Sequence, residues 1–329
     1  MPTRRMICVT GGASLLGLGL ASGSSSRAIG QADFPTRAVR IVVPNPPGTM
    51  LDVIPRLIAD KLSQKWGQPV IIENRPGAAQ NIGADAVAKA DPDGYTLLAS
   101  PPGPLVVSQW YFPKLSFDPA AFIPITVMVA VPTLLVANPD APFSSFSEFV
   151  AYARANPGKL NYGSPGPGST PQLAQEALMQ AGDFKMVHVP YQGMGPALKD
   201  LVAGHIQVLL DIAGNSLPLV QDGKLKALAA TSDTRIRQLP DVPTIQETLP
   251  SYRHSEWFAL VAPPKTSSAL AKKISVDVAE VLKRPDVAQR LETMVATPMG
   301  NGPDSTALLI KTESDRWRLI VAALPARPD

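Results

Sequence analysis

From residue 39 onward, short apolar runs alternate with segments of helical spacing, and a proline or glycine stands at most junctions. Val39-Arg40-Ile41-Val42-Val43 predicts a strand stopped by Pro44. Over 51–66, Leu51, Ile54, Leu57, Ile58, Leu62 and Trp66 fall near helical spacing, with Arg56, Asp60, Lys61 and Lys65 outside. Residues 69–73 predict a second strand, 81–90 a helix and 95–99 a third strand. That order predicts a parallel, doubly wound α/β sheet. A second α/β unit starts near residue 134, with strands at 134–137, 161–164, 187–189, 206–210 and 225–230 and helices at 147–156, 171–180 and 196–203. A strand at 257–262 and helices at about 266–283, 285–295 and 303–322 close the chain. The pattern leaves open which unit they join. The 35 prolines, about twice the usual share, punctuate patterned segments, so the chain reads as globular and loop-rich.

Residues 1–32 read as an export signal. Arg4 and Arg5 precede a small and apolar run, Gly11 to Ala21, and a small-residue cleavage site is expected near Ala28-Ile29-Gly30 or Gly30-Gln31-Ala32. The run is shorter than the roughly 20 apolar residues a membrane span needs. Arg4-Arg5 followed by Met6 and Ile7 resembles a twin-arginine signal, but the Lys that often follows is missing, which leaves Sec export open. Cys8, the single cysteine, lies in this segment, too early for a lipoprotein acceptor, so disulfide and thiolate chemistry are excluded from the rest. The formal charge is +3, and the signal holds Arg4, Arg5, Arg27 and no acid, so the remaining chain is neutral. That argues against nucleic acid or an anionic membrane surface as a partner. About 297 residues then remain, enough for two α/β domains; residues after Ala323 read as a short loose tail.

Two places share one construction, an apolar strand followed by a Gly/Pro loop and a helix start: 44–52 and 164–172. A helix N-terminus leaves its first N–H groups unpaired and carries partial positive charge. Glycines let a ligand approach the backbone, and prolines stiffen the loop. The result is an anion cradle with no charged side chain, placed where ligands bind in parallel sheets. Pro55 favours a helix capped by Asp52, or else a kink. In the second loop, Thr170 as N-cap places Pro171 at the first helical position; Ser169 with Gln172 would instead form a capping box. Asp211, ending an apolar strand, is a further candidate, and Tyr191 is the aromatic residue expected to reach a cleft.

Enzyme motifs are missing. His188, His205 and His254 have no metal-ligand spacing. Ser164 and Ser169 sit outside G-x-S-x-G because position 162 is Tyr, and no base is spaced to serve either one. Position 171 is Pro, which breaks G-x-G-x-x-G. His188, in Val187-His188-Val189, reads as a core or hinge histidine.

Several segments carry a family resemblance in order and spacing: Phe34-Pro35-Thr36-Arg37, Arg40-Ile41-Val42-Val43-Pro44 with Pro46-Pro47-Gly48 and Asp52, Gly67-Gln68-Pro69-Val70, and Glu73-Asn74-Arg75-Pro76-Gly77-Ala78. They continue through Asp91-Pro92-Asp93-Gly94-Tyr95-Thr96-Leu97-Leu98, Asn156-Pro157-Gly158-Lys159-Leu160-Asn161-Tyr162, His188-Val189-Pro190-Tyr191, Gly223-Lys224-Leu225-Lys226-Ala227-Leu228-Ala229 and Leu239-Pro240-Asp241-Val242-Pro243-Thr244. Here the chain resembles the substrate-binding receptors of tripartite tricarboxylate transporters, the Bug family. The resemblance implies a type II periplasmic-binding-protein fold, a Venus flytrap of two doubly wound α/β domains with the ligand cleft between them. It places residues 33–133 plus 256–329 in domain 1 and 134–255 in domain 2, after a signal at 1–32. It implies a periplasmic receptor, expected as a monomer, that holds a small organic acid (a di- or tricarboxylate, acidic amino acid or aromatic acid) and delivers it to a two-component membrane permease. No catalytic residue, metal or cofactor is expected. The candidate ligand-binding residues are Asn45, Pro46, Gly48, Thr49 and Asp52; Ser100; Ser164, Gly166, Gly168, Ser169, Thr170 and Gln172; and Tyr191 and Asp211. Several positions depart from the family pattern. Asn45 and Thr49 replace Phe and Gly, Gln172 replaces His, Ala79-Gln80 replaces Gly-Gly, and Pro55 replaces Ala. The alternatives are a sensor that presents the same ligand to a signalling partner, and a hydrolase using Ser164 or Ser169.

Overall fold

The computed structural model describes residues 34–324, so the expected export signal and the tail beyond lie outside the described residues. The chain runs through β1 (Val39–Val43), α1 (Met50–Trp66), β2 (Val70–Asn74), α2 (Asn81–Ala88) and β3 (Thr96–Ser100). A helical turn at Gly103–Val107 leads into α3 (Ser108–Tyr111) and β4 (Ile123–Val131). Then follow β5 (Thr133–Ala137), α4 (Phe146–Ala155), β6 (Asn161–Ser164), α5 (Thr170–Gly182), β7 (Val187–Pro190), α6 (Met194–Val202), β8 (Val208–Ile212), α7 (Ala213–Gln221) and β9 (Lys226–Ala230). The chain closes with β10 (Glu256–Ala262), α8 (Ser268–Leu282), α9 (Pro285–Thr293), β11 (Thr297–Pro298) and α10 (Pro303–Ala322).

These strands form two sheets, ordered β11-β4-β10-β3-β1-β2 and β7-β6-β8-β5-β9. Both are mixed, which corrects the expectation of a purely parallel sheet. β1 pairs parallel with β2 and β3, but β10 enters antiparallel between β3 and β4. In the second sheet, β6 is parallel to β7 and β8, while β5 runs antiparallel to β8 and β9. The antiparallel strands are those on which the chain passes between sheets. β4 continues into β5 across Pro132 alone, and β10 brings the chain back to the first sheet. The spacing had not revealed β4, nor α7, which carries Gly214, Asn215 and Pro218.

β5 and β10 read as near-continuous apolar runs because both of their faces are buried. Val39, Ile41 and Val43 join one core cluster with α1 and α8, while Val42 joins a second. β10 divides likewise: Phe258, Leu260 and Ala262 point one way, Trp257, Ala259 and Val261 the other. β5 gives Leu135 and Ala137 to that second cluster and Leu134 and Val136 to a third, packed with α6 and α7. One cluster therefore takes a face from each sheet and binds the two sheets together. Each fully buried Ile or Leu in these clusters contributes roughly 1.5–3 kcal/mol.

α1 buries Leu51, Ile54, Ile58 and Leu62, as its spacing predicted, and ends at Gly67 (φ 64°), whose N–H bonds the Ser63 carbonyl. Its start differs from expectation. Thr49, not Asp52, is the N-cap, and Pro55 lies buried inside the helix without ending it. The second helix of this kind, α5, starts at Ser169 as N-cap.

Candidate functional site

A cleft of about 1300 Å³ opens where loops following the strands of the two sheets meet. The loop from β1 to α1 contributes Asn45, Pro46, Gly48 and Thr49; the loop from β6 to α5 contributes Gly166, Ser169 and Thr170. Tyr191 and Asp211 also line it. Asp52, Ser100, Ser164, Gly168 and Gln172 do not line it.

The two loops repeat one hydrogen-bond pattern. The Thr49 hydroxyl donates to the Pro46 carbonyl (3.0 Å), and the Gly48 N–H donates to the Asp52 carboxylate (2.8 Å). In the second loop, the Ser169 hydroxyl donates to the Gly166 carbonyl (2.6 Å), and the Gly168 N–H donates to Gln172 Oε1 (3.1 Å). Each N-cap hydroxyl is thus turned back into its own loop, and neither caps its helix. The residue three places on reaches back past the cap and clamps a glycine with positive φ, +83° at Gly48 and +77° at Gly168. The expected Ser169–Gln172 capping box is therefore displaced by one residue. The first N–H groups of α1 and α5, which have no intrahelical acceptor, are left without a side-chain cap.

The residues outside the cleft hold this geometry. Asp52 is 2 % exposed and also accepts from Arg56 Nε (2.9 Å) and Asn74 Nδ2 (2.8 Å). Burial alone would raise its pKa; the hydrogen bonds from Arg56, Gly48 and Asn74 outweigh it and hold the carboxyl below its ordinary range. Gly168 packs on Tyr111, where a Cβ would lie 2.7 Å from the ring. Ser100 donates to the Pro101 carbonyl. Asn45 Oδ1 accepts from Gln80 Nε2 (2.8 Å) and ties the first loop to the turn at 77–80, which also lines the cleft.

Tyr191 donates to Asp200 (2.8 Å), and burial together with that bond pushes its phenol up to about 12. Asp211 is buried, which pushes it up to about 6 against hydrogen bonds from Ser216 and Asn215. It lines the cleft and braces the first turn of α7.

The structure corrects the expectation that no base serves Ser164. His188 Nε2 lies 2.6 Å from Ser164 Oγ, and the imidazole stacks on Tyr162. Burial lowers the pKa of His188. The Ser164 side chain is nevertheless fully buried, and its oxygen also bonds the Gly166 N–H and carbonyl. It organises the loop. Among the described residues, no group of three His, Cys, Asp or Glu side chains is placed to hold a metal.

Sequence reasoning missed several cleft residues, among them Gln80, Thr133, Gln192 and Asn215, and also His254 and Glu256 at the return to the first sheet. The only sequence signal of the last two is a polar pair just ahead of an apolar strand.

A family profile described as the tripartite tricarboxylate transporter family receptor matches residues 54–325. The chain belongs to that family. It is 32% identical over 317 residues to the protein BugT of Bordetella pertussis, covering 95% of this chain and 97% of that one. It is similar in structure to Rpa4515 of R. palustris, solved with adipate (TM-score 0.82, 34% identity, 88% of this chain and 97% of that one). It is also similar to MatC of Rhodopseudomonas palustris, solved with bound malate (TM-score 0.80, 34% identity, 88% and 100%). This family member therefore has the two-domain periplasmic-binding-protein fold. No helix among the described residues is long and apolar enough to cross a membrane.

Proposed function

We propose that this family member is a periplasmic receptor, not an enzyme, which captures a small organic carboxylate in the cleft and delivers it to a two-component membrane permease. The observation that carries this reading is the shared pattern of the two loops. Both turn their capping hydroxyls aside and leave helix N–H groups bare toward one space. Two helix ends facing a common anion supply partial positive charge from both sides without a basic side chain. Relatives solved with adipate and malate support the choice of carboxylates.

The same reading divides the chain into residues 33–133 plus 256–329 and residues 134–255, with closure about the crossings at Pro132 and before β10. It takes residues 1–32 as a cleaved export signal and the mature receptor as a monomer. The hydrolase alternative has little support, since the Ser164 oxygen is buried and engaged; turnover of model esters that disappears in Ser164→Ala would revive it.

A thermal-shift panel of mono-, di- and tricarboxylates tests the proposal. At about 100 times its dissociation constant, a ligand adds about 2.7 kcal/mol and raises the melting temperature. A panel with no stabilising acid contradicts the carboxylate reading.

A further inference from the structure

Two side chains in the cleft carry polar atoms that the anion loops leave unused. Asn45, on the loop from β1 to α1, and Gln80, on the turn before α2, both line the cleft. Gln80 Nε2 donates to Asn45 Oδ1 (2.8 Å). That bond holds the two amides against each other and engages one polar atom of each. Asn45 Nδ2 and Gln80 Oε1 have no hydrogen-bond partner among the described residues, and neither is sealed away from water. Turning both amides over exchanges their roles but leaves the same pair, one open donor and one open acceptor.

A third open atom stands beside them. Thr170, the first residue of α5, lines the cleft yet is only 3% exposed. The Thr49 and Ser169 hydroxyls are turned back into their loops. The Thr170 hydroxyl is not: it has no partner among the described residues and is not sealed off. Gly103 fixes its place relative to the amides. A Cβ there would lie 3.1 Å from Gln80 Oε1 and 3.4 Å from Thr170 Oγ1, so the two oxygens face one point. One comes from a turn after β2 in the first sheet, the other from a helix start after β6 in the second.

We propose that Asn45, Gln80 and Thr170 form a specificity-determining subsite for a ligand hydroxyl, next to the carboxylate position at the start of α5. The proposal rests on the carboxylate reading above and narrows it to hydroxy acids.

The chemistry of the three atoms selects the group. Asn45 Nδ2 only donates, Gln80 Oε1 only accepts, and Thr170 Oγ1 does either. A hydroxyl matches them, because one small group accepts from Nδ2 and donates to Oε1. A carboxylate oxygen only accepts, and would face Oε1 with no proton between them. An ammonium only donates, and would leave Nδ2 unpaired. An apolar carbon would cover all three atoms and leave them without partners, which is costly. Thr170 also opens α5, whose first N–H groups lack a side-chain cap. A hydroxyl here therefore lies close along the ligand to the carboxylate that those N–H groups hold.

Calorimetric titration at pH 7 tests this with D- and L-malate against succinate, D- and L-2-hydroxyglutarate against glutarate, and D- and L-2-hydroxybutyrate against butyrate. At least one hydroxy acid should bind about tenfold or more tighter than its deoxy counterpart. Asn45→Ala removes the donor and Gln80→Gly the acceptor. Each should cut that preference to about twofold or less and leave the affinity for the deoxy acid within about twofold. Glycine suits position 80, where φ is 76°. No hydroxy acid binding tighter than its counterpart, or a preference that survives either substitution, overturns the subsite; so does a substitution that weakens both acids alike. If none of these acids binds while another acid of the thermal-shift panel does, the hydroxyl class falls and the carboxylate reading stands. If no acid binds at all, both fall.

Discussion

Ala78, Ala79 and Gln80 all have positive φ, at 47°, 49° and 76°, on the turn that lines the cleft. Side chains at such angles cost about 1 kcal/mol or more each. Ala79→Gly should stabilise the protein by about 1 kcal/mol, seen as a higher urea midpoint with an unchanged slope. The family resemblance marked this spot, because Ala79-Gln80 stands where glycines are usual, but only the backbone shows that the left-handed geometry is kept. Glu256 was not legible at all. A lone acid at the mouth of a strand looks solvent-facing in sequence, and its neighbour Glu313 comes from α10, distant in sequence. Its burial has a consequence for stability. The carboxyl ionises near 4.5 when unfolded and near about 8 when folded, so folding takes up a proton between those values. Stability is then fully present below about 4.5 and falls as pH rises toward about 8, on the order of 1.4 kcal/mol per unit at most. Asp211 adds a loss of the same sign only up to about pH 6, and His254 acts in the opposite sense below 6.5. Between pH 6.5 and 8, Glu256→Gln should therefore flatten the decline in urea-melt stability; an equal slope in both proteins would refute the burial of a neutral carboxyl.

The strand–loop–helix units at 44–52 and 164–172 were legible because prolines and glycines punctuate them, yet the cap positions were not. Pro55 argued for a later start to α1, but the clamp from Asp52 to Gly48 sets the helix start at Thr49, ahead of the proline. Asp52→Ala removes an acceptor shared by Gly48, Arg56 and Asn74. It should cost about 1–3 kcal/mol in stability and weaken carboxylate binding, checked by melting and by titration on the same sample. Gly168→Ala meets two obstacles, the positive φ and the Tyr111 ring at 2.7 Å. It should destabilise by about 1–3 kcal/mol, whereas Gly158→Ala, with open space at a similar φ, should cost less. The strand at 257–262 was read, but its antiparallel direction was not, because an apolar run says nothing of direction and an α/β rhythm in the first hundred residues suggested only parallel neighbours; β4 was not read at all.

The molecule is two mixed sheets that share one core cluster, crossed by the chain at Pro132 and again before β10. The number of units and the family were readable from the order of the segments. The crossing geometry was not, since it depends on a strand that straddles both sheets. Asp211, His254 and Glu256 come from the parts of the chain nearest those crossings, while the anion loops come from one strand end in each sheet. A ligand that spans both would hold the sheets together, so binding should reduce the radius of gyration in solution scattering. The central claim is that the anion is held by helix-end backbone from both sheets. Backbone amide NMR, titrating in the best acid from the thermal-shift panel, tests it most directly. The N–H resonances of Met50 and Leu51 in α1 and of Thr170 in α5, which line the cleft, should shift together and saturate with one dissociation constant. Saturation with those resonances unmoved, or with only one of the two helices responding, would contradict it.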